Sequence, residues 1–150
     1  MAVTINFYDQ FIEYMGDNTI DIDTDAFYVM MMTASHTFTA ANTVRTDVSA
    51  NQRATEFGYT QATGAATGKE LATPTWTQPV AGTTMFDAPD ISWSASGGSI
   101  TGDDLVIFDD TAASDQLMCS IDFDGTQTAG DGTTFLISFN ASGIFRIANP

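Results

Sequence analysis

The sequence predicts a mainly β chain, an antiparallel β-sandwich of jelly-roll-like arrangement with one short helix near its N-terminus. Three observations predict it. Thr is frequent, and short apolar runs are punctuated by Asp, Gly, Asn and Ser, the composition of many strands joined by turns. Several runs alternate apolar and polar residues with the two-residue period of a half-buried strand. Turn signals recur about every 8–15 residues, while helical periodicity shows only once.

The helical stretch comes first. Phe7, Phe11, Ile12 and Met15 recur at spacings of four and three, opposite Asp9, Gln10 and Glu13. This predicts a helix over residues 6–16, with Asn6 as its cap and Gly16 as its stop. Next, Phe27 to Met32 is apolar on both faces of an extended strand, with Phe27, Val29 and Met31 on one and Tyr28, Met30 and Met32 on the other. Such a strand lies at the centre of a sheet, covered by a second sheet and by the helix, or else one of its faces meets another subunit.

Residues 60–84 form a long excursion built from Thr, Ala and Gly with Pro74 and Pro79, anchored by Leu71, Trp76 and Val80. A structureless loop of that length is uncommon in a compact domain, so one or two weak edge strands are expected there. Ile91 and Trp93 alternate with Ser92 and Ser94. Leu105 to Phe108 reads as a strand buried on both faces. Leu117, Cys119, Ile121 and Phe123 alternate with Met118, Ser120, Asp122 and Asp124, and Phe135, Ile137 and Phe139 alternate with Leu136 and Ser138. Asp124-Gly125, Asp131-Gly132 and Asn140 to Gly143 mark turns. No fixed-period repeat occurs, and one domain spanning residues 1–150 is the natural count.

Charge narrows the function. Of 150 residues, 19 are Asp or Glu and 4 are Lys or Arg, a net charge of −15 carried by only 15% of the chain. Nucleic-acid binding needs clustered Lys and Arg to displace counterions, and anionic membranes attract the same residues, so neither partner is expected. The 43% hydrophobic content, with 11 Phe and 2 Trp, supplies a core and speaks against disorder. Cys119 is the one cysteine, so no internal disulfide forms. The first residues carry neither a basic start nor a signal-length apolar run, and no run reaches membrane-spanning length, so synthesis in a cytoplasm is expected.

The residues that carry chemistry are few. His36 is the only histidine and Cys119 sits on the inward face of a strand, so no nucleophile has a base beside it. Asp103-Asp104 and Asp109-Asp110 flank one strand, which separates them by roughly 15–20 Å, too far for paired-carboxylate hydrolysis. Each pair is expected to be solvated. Asp21, Asp23 and Asp25 open like a calcium loop, but Ala26 and Met32 stand where that loop needs Gly and Glu. In an extended strand the three would share a wet face. The expectation is therefore no enzyme, no cofactor and no metal site, and the candidate residues are interface ones: Phe7, Phe11, Tyr28, Met30, Met32 and Trp76.

The order of segments carries a resemblance. After the N-terminal helix come Ile20 to Asp25, Met32-Thr33-Ala34-Ser35, Asp47 to Asn51, Gly58-Tyr59-Thr60, and Phe86-Asp87-Ala88-Pro89-Asp90-Ile91-Ser92-Trp93. The chain closes with Val106 to Thr111, Cys119 to Gly125 and Asn140 to Ile144. This order resembles a family of small structural proteins of tailed-bacteriophage virions over essentially the whole chain. The Phe86 to Trp93 stretch and Ile121-Asp122-Phe123 are its most specific parts. The resemblance implies a capsid decoration (cement) protein on the outer surface of the phage head, assembled in the host cytoplasm, with the major capsid protein as partner and a homo-oligomeric state. It brings no catalytic or ligand residues. The excursion at Gln61 to Ala72 and the strong acidity depart from the commoner members. A net charge of −15 suits the outside of a shell, because packaged DNA would repel it. The alternative is a tail- or neck-associated or carbohydrate-binding virion protein, in which Trp76 would stack on sugars.

Overall fold

The computed structural model describes residues 3–149. It is mainly β, as the alternating runs predict. In chain order the strands are β1 (Thr4–Phe7), β2 (Phe27–Met32), β3 (Lys69–Glu70), β4 (Thr75–Val80), β5 (Thr83–Asp87), β6 (Ile91–Ser94), β7 (Ile100–Asp109), β8 (Gln116–Ala129), β9 (Thr134–Ile137) and β10 (Phe145–Ala148). Two short helices, α1 (Phe11–Gly16) and α2 (Arg45–Val48), and a 3-10 turn at Ser49–Asn51 complete it. A five-stranded antiparallel sheet has the order β1-β8-β7-β2-β3, and two smaller antiparallel sheets have the orders β10-β5-β4 and β6-β9.

The five-stranded sheet is built around β2 and β7, whose apolar runs leave no polar face for water. All six residues of β2 are buried. Phe27, Val29 and Met31 join Leu105, Ile107, Ile121, Phe86, Trp93, Phe135 and Phe145 in one core between the large sheet and the smaller ones, a sandwich-like arrangement. Tyr28, Met30 and Met32 join Val106, Phe108, Leu117, Tyr8, Val48 and Ala62 in a second core on the opposite face. That second face was expected to be covered by the N-terminal helix. Instead the connection from Thr33 to Ala62, carrying α2, lays Phe38, Val48 and Ala62 over it. Helix α1 packs on the first core through Phe11.

The helix itself is shorter than the predicted 6–16. Residues 4–7 pair with Asp122 to Cys119 of β8, and Gln10, not Asn6, precedes the first turn of α1. A strand partner satisfies backbone groups over residues that periodicity alone assigns to helix. The predicted alternation in β8 also breaks. Ile107 pairs with Cys119 and Phe108 with Leu117, so Met118 is bulged. The bulge turns Met118 and Cys119 toward the first core and Leu117 toward the second. Residues 117–121 are consequently buried on both faces instead of one. Asp124-Gly125, expected as a turn, is a left-handed kink inside β8 (φ 58° and 112°), and the strand continues to Ala129. The 60–84 excursion contains two edge strands, as expected: β3 borders the large sheet, and β4 borders a small one with a bulge beside Pro79.

One hairpin pins the covering connection to the sheet. Glu56 and Tyr59 exchange backbone hydrogen bonds around Phe57 and Gly58, both with positive φ. The Tyr59 hydroxyl accepts from the Met31 amide at 3.0 Å and bonds the Gln52 side-chain amide at 2.9 Å. Beside it the Arg53 guanidinium, almost wholly buried, donates to Thr101 O, Thr101 Oγ1, Ser99 O and Glu56 Oε1. Gly58 is required on two counts. Its φ is +93°, and a Cβ there would lie 2.1 Å from the Ser94 carbonyl oxygen. Gly58→Ala should therefore destabilise the chain by about 2–4 kcal/mol in urea unfolding, and a loss below about 0.5 kcal/mol contradicts this close approach.

Candidate functional site

β8 and β9 are joined by the short turn at residues 130–133 yet belong to different sheets. The two strands diverge from that turn, and the wedge between them is a groove of about 620 Å3. Two strand edges border it. Pairing of β1 on β8 runs from Phe7 opposite Cys119 to Thr4 opposite Asp122, and Phe123 and Gln127 to Ala129 of β8 line the groove beyond it. Among the described residues β9 pairs with β6 on one edge and with no strand on the other. Residues 134–139 line the groove in succession, odd and even alike, which is how a strand seen edge-on lines a cavity. Ile5, Ile121, Phe123, Phe135 and Ile144 form the floor, and Val3 and Leu136, 55% and 57% exposed, stand at the rim.

The electrostatics of the groove are unlike those of the rest of the chain. None of its lining residues is charged, although the chain carries 19 acids. Acids stand instead at its two ends. Asp131 lies in the turn and accepts from the Gly97 amide. Asp90 accepts from Ser138 Oγ and the Phe139 amide, which together hold its carboxyl below the usual carboxylate range. The four cations do little to offset the acidic field, because each is engaged within the chain. Arg45 pairs with Asp115 at 2.8 Å and Arg53 is buried as described. Lys69 Nζ sits 5.6 Å from the centre of the Trp93 ring, and Arg146 donates to Ser142 O.

The sequence-predicted surface residues divide. Phe11, Met30 and Met32 are fully buried and Tyr28 is 6% exposed, so these four are core residues of the chain itself, not a free interface. The reason is the double covering of β2 and the packing of α1. Phe7, 39% exposed, lies at the end of β1 rather than on a helix, stacked on Phe11 and edge-on to Phe145. Trp76 is half-buried on edge strand β4, with its ring centre 6.2 Å from that of Phe145. None of the six lines the groove. Sequence reasoning missed it because its residues look like the inward face of ordinary strands. The only signal was that β9 follows β8 too closely for its alternation to say which strand it pairs with.

The acidic motifs also take definite places. Asp21 to Asp25 is a curled turn, not an extended wet face. Asp21 Oδ1 accepts from the Asp23 amide and Asp25 Oδ2 from the Asp21 amide. No three ligand-type side chains converge on a metal-sized space among the described residues. His36 lies in the loop after β2, its Nδ1 3.0 Å from Asp104 Oδ2. Burial pushes the Cys119 thiol up to about 12. Asp109 departs most from expectation, since it is buried rather than solvated. Its Oδ1 accepts from the Thr111 and Ala112 amides, while its buried Oδ2 has no hydrogen-bond partner among the described residues. Burial and the Asp25 carboxylate push it up to about 7.

An acid whose pKa rises on folding is protonated in the folded chain after the unfolded chain has ionised. Between about pH 4 and about pH 7 Asp109 therefore makes stability fall with rising pH, and above that range its effect is level. Asp109→Asn removes the titrating group and should flatten this slope in urea titrations at a series of pH values. An unchanged slope contradicts the raised pKa of Asp109.

Comparison with family models, with curated proteins and with solved structures finds no match to this chain.

Proposed function

We propose that this chain is a non-enzymatic structural protein of a tailed-phage virion, a capsid decoration (cement) protein that binds the outer surface of the major capsid shell and stabilises the head. The observation that carries the reading is the groove. It is a largely apolar strip without charged lining residues, bordered by the outer edge of β9, which no strand pairs among the described residues, and set in a strongly acidic body. Unpaired strand edges beside apolar surface are what a strand-pairing contact uses, and soluble chains otherwise blunt them. The segment order that resembles phage virion proteins supplies the setting. The acidic field supports the outer rather than the inner face of the shell, since packaged DNA is itself an anion.

Copies would gather around local symmetry axes because the capsid sites repeat there, so self-association is a consequence of the shell. Like-charged bodies of −15 gain little from meeting in solution. Particles stripped of the protein should lose their DNA at lower temperature than coated ones, and adding the protein back should restore the difference. Equal resilience with and without it removes the cementing role. Quantitative protein staining of purified particles should give on the order of hundreds of copies per head, as expected of a repeating shell site. A count of tens or fewer moves the chain to the tail or neck.

A further inference from the structure

We infer that the turn between β7 and β8 is a pH-sensitive latch, which holds three connections of the chain closed while the buried carboxyl of Asp109 keeps its proton and loosens them when that carboxyl ionises beside Asp25. The latch does not depend on what the chain binds. Residues 110–115 form the turn, and each tie to it is a hydrogen bond. Ala26, in the loop before β2, donates to Thr111 Oγ1 at 2.8 Å and accepts from the Asp110 amide at 2.9 Å. The Ala66 amide of the 60–84 excursion donates to Asp110 Oδ2 at 2.7 Å. Arg45, at the start of α2, gives its amide to the Asp115 carbonyl and its Nε to Asp115 Oδ2, both at 2.8 Å. The Arg45 guanidinium also lies 6.0 Å from the centre of the Phe108 ring, so this tie helps to cover the second core.

One carboxyl underlies all three ties. Asp109 Oδ1 accepts from the Thr111 and Ala112 amides and so sets the shape of the turn. The residue is fully buried, and its Oδ2 has no hydrogen-bond partner among the described residues. Phe27 lies opposite Asp109 in the sheet, which brings Asp25, two residues earlier, to the same side. The residues opposite Asp109 on its two neighbouring strands, Phe27 on β2 and Gln116 on β8, are uncharged. Asp110 and Asp115, in the turn itself, each give Oδ2 to a donor, the Ala66 amide and Arg45. A negative charge on Asp109 therefore meets Asp25 and finds no donor for Oδ2.

Burial and Asp25 push this carboxyl up to about 7 in the closed chain. With the turn open, water reaches it and it ionises in the ordinary range near pH 4. Between those limits the closed form holds one proton more than the open form. The open fraction therefore grows about tenfold per pH unit there, and above about pH 7 it is level, because both forms are then ionised.

Amide hydrogen exchange of the full chain, followed by NMR from about pH 5 to about pH 8 and corrected for intrinsic exchange chemistry, tests the latch. Opening at the Ala26, Arg45, Ala66 and Asp110 amides should rise about tenfold per pH unit up to about pH 7 and then level off. The Ile144 and Asn149 amides, bonded to Phe86 and Gly82 in a different sheet, should hold constant. A level profile at the four tie amides overturns the latch. So does an equal rise at Ile144 and Asn149, which makes the response that of the whole chain. Asp109→Asn should abolish the rise, and a rise that survives it belongs to another group and overturns the inference. If that variant does not fold, Asp25→Asn, whose amide oxygen still accepts from the Asp21 amide, should move the levelling point to lower pH. An unmoved levelling point overturns the role of Asp25. A carboxyl carbon signal of Asp109 that titrates in the ordinary range in the unaltered chain overturns the inference outright.

Discussion

β2 presents apolar side chains on both faces, so the sheet built around it has to be covered twice. Most of the remaining structure follows from that requirement. One cover is formed by the smaller sheets and α1, joined through an aromatic cluster in which Phe145 meets Phe7, Phe11, Trp76 and Phe86. The other is the connection from Thr33 to Ala62, which has little regular structure and is held by side chains. Tyr59 reaches the Met31 amide, and Arg53 reaches the start of β7. Deep burial of Arg53 is tolerable because four acceptors receive its protons. The first cover is made of two small sheets rather than one. The seam where β8 leaves β9 is left as an open groove.

Charge is the second constraint. Charges are few per residue but nearly all of one sign, and none of them lines the groove. Several are absorbed locally as hydrogen-bond acceptors for backbone amides, as Asp17, Asp47 and Asp90 are, each with its carboxyl held below the ordinary range. Asp109 is the exception, a buried acid whose pKa is raised to about 7 by burial and by Asp25. What remains is a negative surface with an uncharged groove between β8 and β9. That contrast disfavours acidic partners by repulsion and leaves the groove as a place where an apolar segment can approach.

Much of the fold was legible in residue order. The continuous apolar runs at 27–32 and 105–108 identify the central strands, and Ile91 and Trp93 face inward as their alternation requires. Three features were not legible, each for a physical reason. Asn6 and Phe7 stand at the start of the stretch with helical spacing but join a strand because β8 offers them a pairing edge, and tertiary pairing outweighs weak local preference. The bulge at Met118 shifts the inward phase of β8, which no period of two can announce. Asp109 lies at a strand end where acids are normally solvated, and only the fold brings Asp25 against it. The groove belongs with these. Its walls belong to strands of two different sheets, and which sheet a strand joins is set by tertiary pairing.

The account stands on adhesion through that groove. Hydrogen exchange of the full chain, free and bound to shells of the major capsid protein of its own phage, tests it most directly. The account predicts that shell binding slows exchange at amides of residues 123–129 and 134–139 and leaves β4 and the Asp21 to Asp25 turn unchanged. Protection centred on those other surfaces, with the β8 and β9 edges exchanging as in the free chain, would contradict it.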